Sequence, residues 1–132
     1  MFIIGLDDCV EFLAGDHTRL KELLHPDKQP LDLRYSLALA LVGPGLSSLR
    51  HVLKNSEVYY IIRGEGIMSI DGEEAPVGPG QAVYIPPGSE QFITNTSSAD
   101  LEFICIVDPA WREEDEVIRR TVGPDCPLKR LI

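Results

Sequence analysis

Residues 45–64 read GLSSLRHVLKNSEVYYIIRG, and residues 80–95 read GQAVYIPPGSEQFITN. In the first stretch, His51 and Leu53 are two positions apart, so their side chains point to the same face of a strand. Glu57 begins the next apolar run, and Tyr59 and Ile61 share its face by the same alternation. The pattern predicts an inward surface that carries an imidazole and a carboxylate among apolar side chains.

Short strands separated by turn residues continue on both sides of these stretches. The predicted strands cover residues 35–42, 58–62, 67–70, 82–85 and 101–107. The third of them ends at Asp71-Gly72, a preferred two-residue hairpin turn, because both central positions favour positive φ. Short strands with no long amphipathic helix among them predict an all-β sandwich or small barrel.

The spacing of the two stretches resembles the two sequence motifs of the cupins, and the resemblance covers residues 36–108. The first cupin motif has the order Gly, His, His, Glu, Gly, and the corresponding residues here are Gly45, His51, Leu53, Glu57 and Gly64. The second has the order Gly, Pro, Gly, His, Asn, and the corresponding residues are Gly80, Pro86, Gly88, Gln91 and Asn95. The resemblance implies a double-stranded β-helix, the cupin jelly-roll barrel.

The resemblance also implies an inward metal site of three histidines and one glutamate, but Leu53 and Gln91 occupy two of the histidine positions. The candidate metal ligands are therefore His51, Glu57 and Gln91. One imidazole, one carboxylate and one amide oxygen suit Mn, Fe(II), Ni or Zn, with water in the open positions and reduced affinity. The two-His-one-carboxylate arrangement of non-haem iron oxygenases cannot be assembled, which weighs against O₂ chemistry. No organic cofactor is expected.

A metal-free barrel is the alternative, in which His51, Glu57 and Gln91 form a hydrogen-bonded polar group and Leu53 packs. An ionised Glu57 inside a barrel is costly unless a cation or hydrogen-bond donors compensate its charge. A metal ion, His51 as imidazolium or a Tyr hydroxyl could each do so.

The remaining pocket residues follow from strand alternation. Along residues 101–107, Glu102 should face water, which turns Phe103 and Cys105 inward. Cys105 is interpreted as a small buried hydrophobe in preference to a thiolate ligand. Glu57 and Tyr59 are the candidates for proton transfer. The predicted pocket lining is Leu53, Tyr59, Ile61, Phe103 and Cys105.

These residues indicate a small metal-binding cupin that holds a small polar organic ligand in its barrel. Non-oxidative, metal-dependent chemistry of the isomerase or lyase type is one expectation. Metal-free ligand binding or sensing without catalysis is another, and a barrel that merely supports a dimer is a third.

Composition limits the partners. Twenty-one acidic against twelve basic residues give a net charge of −9, which disfavours nucleic acid. The longest apolar run, residues 37–42, is too short to span a membrane, so we expect a cytoplasmic protein. Cys9, Cys105 and Cys126 contain no Cys-x-x-Cys pair and are expected to be free thiols.

The chain is expected to form one domain over residues 1–132, with a motif core at 36–108 and two arms. The N-terminal arm, residues 1–34, contains a strand or short helix at 18–25. The C-terminal arm, residues 109–132, contains a short helix over 112–120, where Glu116 and Arg120 are spaced for an i,i+4 pair. Sheet edges and an apolar N-terminal strand over residues 2–6 need cover, which predicts a homodimer.

Overall fold

The computed structural model describes residues 1–119, in which eleven β-strands form two sheets. The strands are β1 (Phe12–Leu13), β2 (Arg19–Leu24), β3 (Ser36–Val42), β4 (His51–Leu53), β5 (Ser56–Arg63), β6 (Gly66–Ile70), β7 (Glu73–Val77), β8 (Ala82–Ile85), β9 (Glu90–Asn95), β10 (Leu101–Asp108) and β11 (Glu116–Ile118). The prediction of an all-β double-stranded β-helix is confirmed. No helix in this part of the chain is long and apolar enough to cross a membrane.

Neighbouring strands are antiparallel in both sheets, and their pairing brings together segments that are far apart in the sequence. One sheet has the order β1-β2-β3-β10-β5-β8, and the other has the order β11-β4-β9-β6-β7. Their inward side chains form the core, in which Ile61, Ile93, Leu101 and Phe103 are fully buried. Because β4 and β9 belong to one sheet and β5 belongs to the other, His51 and Gln91 face Glu57 across the interior.

Strand register brings the motif residues together. Glu57 on β5 lies opposite Val107 on β10, and the next inward pair is Tyr59 with Cys105. In the other sheet, His51 on β4 lies opposite Gln91 on β9. The carboxylate and phenol therefore come from one sheet, and the imidazole and amide come from the other.

The hairpin predicted at Asp71-Gly72 is confirmed. Both residues have positive φ, +49° and +83°, and they join β6 to β7. A two-residue turn of this kind matches the right-handed twist of the flanking strands, which explains why this local signal identified the turn.

The N-terminal arm differs in part from the expectation. The ambiguous segment 18–25 is a strand, β2, which pairs with β3. The strand expected over residues 2–6 is absent: within the described chain these residues lead into a 3₁₀ turn at Leu6–Asp8. The Asp8 carboxylate accepts a hydrogen bond from the Gly5 backbone N–H at 3.0 Å, which stabilises this turn.

The C-terminal helix is shorter than the one expected over residues 112–120. It consists of a single 3₁₀ turn, Glu113–Asp115, and the chain then continues as β11, which pairs with β4. The edge of β4 offers backbone hydrogen-bond partners, and the β-branched residues Val117 and Ile118 suit a strand, so tertiary pairing outweighs a weak helical tendency. Arg120 and Cys126 lie outside the described residues.

Candidate functional site

A cavity of about 50 Å³ lies between the sheets, where the β1–β2 hairpin, β4, β5, β10 and β11 meet. Five of the residues singled out from the sequence line it: His51, Glu57, Tyr59, Phe103 and Cys105. A volume of this size holds several water molecules or a small organic molecule. The cavity is therefore the candidate functional site.

The other three predicted site residues lie beside the cavity, not on its wall. Leu53, Ile61 and Gln91 are 2%, 0% and 0% exposed, respectively. Leu53 and Ile61 belong to the packed core around the cavity. Gln91 is connected to the wall through hydrogen bonds.

Gln91 bridges the two candidate catalytic residues. The Tyr59 hydroxyl donates to the Gln91 Oε1 atom at 3.1 Å, and the Gln91 Nε2 atom donates to the Glu57 Oε1 atom at 2.9 Å. The second oxygen of Glu57, Oε2, has no hydrogen-bond partner among residues 1–119. No side-chain polar atom of these residues is both fully buried and unpartnered, so Oε2 retains access to the cavity.

His51 is oriented by the backbone. Its Nδ1 atom lies 2.7 Å from the Leu49 carbonyl oxygen, so Nδ1 carries a proton and donates it in this hydrogen bond. The Nε2 atom lies 3.6 Å from the Asp16 Oδ2 atom, which is beyond hydrogen-bond distance. Nε2 is therefore available to a molecule in the cavity.

Asp16 and Glu116 also line the cavity, and sequence reasoning missed both. Asp16 precedes β2, where its Oδ1 atom accepts hydrogen bonds from the Thr18 backbone N–H at 3.1 Å and hydroxyl at 2.8 Å. An Asp two residues before a Thr is a local turn signal, which could have indicated a fixed carboxylate. Glu116 reaches the cavity only because β11 pairs with β4, and no local pattern indicates that pairing.

Burial changes the protonation chemistry of this site. Burial raises the pKa of Glu57 from 4.5 to about 7; the nearby Asp16 and Glu116 carboxylates raise it as well, whereas His51 and Gln91 oppose the shift. Burial similarly raises the pKa of Glu116. Glu57 can therefore hold or release a proton near neutral pH.

Tyr59 and Cys105 behave differently from Glu57. Burial, followed by the Glu57 charge, raises the pKa of each well above its ordinary value. The Tyr59 phenol therefore remains a hydrogen-bond donor, and Cys105 remains a thiol. These protonation states favour the interpretation of Cys105 as a small buried side chain.

The donor set does not match a complete cupin metal site. His51 Nε2 and Glu57 Oε2 are open, but Leu53 supplies no donor, and the Gln91 amide is occupied by Tyr59 and Glu57. Residues 1–119 contain no group of three or more His, Cys, Asp or Glu side chains placed to hold a metal ion. The residues present suit hydrogen bonding to a ligand better than coordination of a metal.

The two facing sheets, the motif spacing and the cavity between the sheets define a cupin. The sequence profile described as “Cupin domain” matches residues 38–107, and the chain belongs to this family. Over 113 residues it is 34% identical to the uncharacterized protein MJ1618 of Methanocaldococcus jannaschii, covering 85% of this chain and 90% of that protein.

Two further comparisons show the range of molecules in this family. Over 92 residues the chain is 33% identical to the oxalate-binding protein of Thermotoga maritima, covering 69% of this chain and 71% of that protein. Its fold matches that of Pac13, a nucleoside dehydratase from Streptomyces, with a TM-score of 0.73 at 18% identity, covering 96% of this chain and 98% of the other. The fold thus hosts both ligand-binding proteins and enzymes.

Proposed function

We propose that the chain binds a small polar organic molecule in the cavity between its sheets, without a metal ion in the site. One observation carries this proposal: Glu57 and His51 line the same cavity, and neither Glu57 Oε2 nor His51 Nε2 has a hydrogen-bond partner within the described chain. Two open polar atoms in a largely buried cavity are typical of a small-molecule site, where a few polar groups orient the ligand. The oxalate-binding relative supports ligand binding as the function.

The cupin resemblance implied metal-dependent binding. This is less favoured because the Gln91 amide is already hydrogen-bonded to Tyr59 and Glu57. We expect protein purified without chelator to contain well below one bound metal ion per chain. Elemental analysis of the wild type and of His51→Ala measures this. A stoichiometric metal that is lost in His51→Ala would return the site to the metal-binding interpretation.

A cavity-filling substitution tests the binding proposal. Ala38 lines the cavity and is 8% exposed, so a leucine at this position would fill the space. Ala75 on β7 is exposed and makes a matched control for the same substitution. In a fragment screen monitored by NMR, wild type and Ala75→Leu should show shifts at His51 and Glu57, and Ala38→Leu should show none.

The outcome of this screen decides the proposal even if Ala38→Leu folds poorly. Ala14→Leu introduces the same volume from the β1–β2 hairpin, outside the buried core. Fragments that shift residues elsewhere, with His51 and Glu57 unaffected, would contradict the proposal. So would binding that survives in both cavity-filling variants.

Acid–base catalysis on the bound molecule is a second candidate function, and the pKa of Glu57 favours it. A carboxyl group whose pKa is near the working pH can accept and return a proton efficiently. Tyr59 would orient Gln91, and through it Glu57, because its own proton is held too tightly for transfer. An NMR titration of the Glu57 side-chain carboxyl should show a midpoint near 7, and a midpoint near 4.5 would contradict this role.

A further inference from the structure

The charged and titratable side chains on the cavity wall are nearly all acidic. They are Asp16, Glu22, His51, Glu57 and Glu116, and no described Lys or Arg lines the cavity. Glu22 is paired with the Lys28 ammonium at 2.7 Å, so its charge is compensated at the rim. Three carboxyl groups and one imidazole therefore face the enclosed space.

His51 cannot balance these carboxyl groups alone. When protonated it contributes one positive charge, and the nearest carboxylate oxygen, on Asp16, is 3.6 Å away. Glu57 is 7% exposed; its Oε1 atom accepts a hydrogen bond from Gln91, and its Oε2 atom has no hydrogen-bond partner among residues 1–119. One neutral donor, Gln91, does not offset the combined charge of ionised Asp16, Glu57 and Glu116 on one largely buried wall, whereas a cation does. The cavity consequently favours a positively charged occupant.

Aromatic rings line the same cavity: Phe12, Tyr59, Phe103 and Trp111. The Tyr59 and Phe103 ring centroids are 4.4 Å apart, and the Trp111 indole N–H donates to Glu116 at 3.5 Å. Ring faces attract organic cations through their quadrupole, and the attraction increases when water is excluded. Aromatic and acidic groups thus lie side by side on the wall.

The rim of the cavity already pairs an ammonium group with both kinds of side chain. Lys28 Nζ binds the Glu22 carboxylate and lies 5.8 Å from the centroid of the Phe12 ring. Glu57, Glu116 and the other rings offer the same two kinds of contact on the cavity wall.

We infer that the ligand of this cavity is a small organic cation, a protonated or quaternary amine. This inference rests on the proposed function and specifies the ligand class. It separates the chain from its oxalate-binding relative, because an oxalate dianion would be placed beside three carboxyl groups with no Lys or Arg on the described wall. An organic cation is favoured over a metal ion because the rings attract it and because residues 1–119 contain no cluster of three or more His, Cys, Asp or Glu side chains placed to hold a metal.

Calorimetric titration with three probes tests the inference. The probes are choline, its uncharged isostere 3,3-dimethylbutan-1-ol, and oxalate, each at pH 8 in the presence of EDTA. At this pH Glu57 is largely ionised, since its pKa is about 7. Choline should bind at least about tenfold more tightly than the isostere, and oxalate should not bind, because the cavity charge distinguishes them.

Charge-neutralising variants test whether the cavity carboxyl groups cause the preference for choline over its uncharged isostere. Glu116→Gln keeps the shape of the side chain and should weaken choline binding about five- to tenfold while leaving the isostere unchanged. Glu114→Gln removes the same charge from an exposed position two residues away that does not line the cavity, and it should change neither. Equal effects of the two variants would indicate general electrostatic attraction and overturn the inference.

The remaining outcomes separate this inference from the proposed function. If oxalate or the isostere binds as tightly as choline and Ala38→Leu abolishes the binding, the cavity is a ligand site but not a cation site. If choline binds only when the titration is repeated without EDTA and with an added divalent metal, or binds equally to Ala38→Leu, the inference fails. If none of the probes binds, the inference fails, and the fragment screen decides the proposed function separately.

Discussion

Gln91 occupies a position where the cupin motif has a histidine, and its amide changes what the position can do. An amide offers an acceptor oxygen and a donor nitrogen at once. Here the oxygen accepts from Tyr59 and the nitrogen donates to Glu57, so three buried side chains form one chain of hydrogen bonds. The bridge fixes one Glu57 oxygen and leaves the other for a ligand.

Removing the Tyr59 hydroxyl should destabilise the protein. Tyr59→Phe leaves the fully buried Gln91 oxygen without its donor, and an unsatisfied buried acceptor costs about 1–3 kcal/mol. Urea unfolding measures the change. Tyr35→Phe is the matched control, because Tyr35 is 43% exposed and the variant should lose almost nothing. Similar losses in the two variants would show that the bridge does not contribute.

Glu57 should make stability depend on pH in a direction opposite to that of most carboxylates. Its pKa is about 7 in the folded protein and 4.5 as the ordinary value, so folding favours the protonated form. The contribution of Glu57 to the free energy of unfolding is fully present below pH 4.5 and is lost as the pH rises through 7. At pH 8 the loss amounts to about 3 kcal/mol.

Glu57→Gln removes this pH dependence, because a glutamine cannot ionise and can still accept from Gln91. The difference in unfolding free energy between the variant and the wild type should shift in favour of the variant by about 2–3 kcal/mol when the pH is raised from 5 to 8. Urea unfolding at the two pH values measures the gain. Glu74→Gln on the exposed strand β7 should show no such difference. A constant gap between Glu57→Gln and wild type would mean that Glu57 has an ordinary pKa.

At the scale of elements, β6 and β9 approach so closely that one position requires glycine. A Cβ atom on Gly66 would lie 2.5 Å from the Thr94 carbonyl oxygen and 3.0 Å from a Leu101 methyl carbon. Both neighbours are held in place, one by the sheet backbone and the other by the core. The close contact between these strands thus depends on the absence of a side chain.

Gly66→Ala should therefore destabilise the sheet by about 2 kcal/mol, the usual cost of forcing extra volume into a packed region. Gly78→Ala is the control, since a Cβ atom there has no neighbour within 4 Å. That substitution should be neutral or slightly stabilising, because it restricts the unfolded chain. Thermal unfolding of both variants checks the difference, and equal melting temperatures would contradict it.

Elements with local signals could be predicted from the sequence, and elements that depend on distant pairing could not. Asp71-Gly72 carries its turn geometry in two adjacent residues, and the strand Ala82–Ile85 is bounded by glycine and proline. By contrast, Glu116–Ile118 is a strand because the β4 edge accepts it. A sequence window around these residues contains only charge spacing, which favoured a helix.

The same reasoning applies to the site within the whole molecule. The cupin motif spacing identified His51, Glu57 and Gln91, because those positions lie on strands of the barrel itself. Asp16 and Glu116 come from the two arms, which carry no motif, and the fold brings them to the cavity through β1–β2 and β4–β11 pairing. The acidic character of the cavity was consequently missed, since it depends on residues about one hundred positions apart.

The outer face of the six-stranded sheet carries apolar side chains that the described chain does not cover. Tyr60, Ile62 and Tyr84 are 47%, 42% and 61% exposed, and the last of these lies on β8, an edge strand. Adjacent Ile104 and Ile106 on β10 extend the apolar surface. Large exposed apolar surfaces and open sheet edges favour association.

This face should form the interface of a homodimer. A second copy would cover the apolar side chains and the β8 edge by two-fold symmetry, as most soluble homo-oligomers do. Light scattering at micromolar concentration should give a mass near 29 kDa, twice the 14.6 kDa of one chain. Ile62→Asp would place a charge within the interface and should give monomers, because the buried carboxylate would be unpaired. Leu46→Asp makes the same kind of change at an exposed residue outside both sheets and should leave the dimer intact. A monomeric wild type, or a dimer that Ile62→Asp does not affect, would show that this face is not a dimer interface.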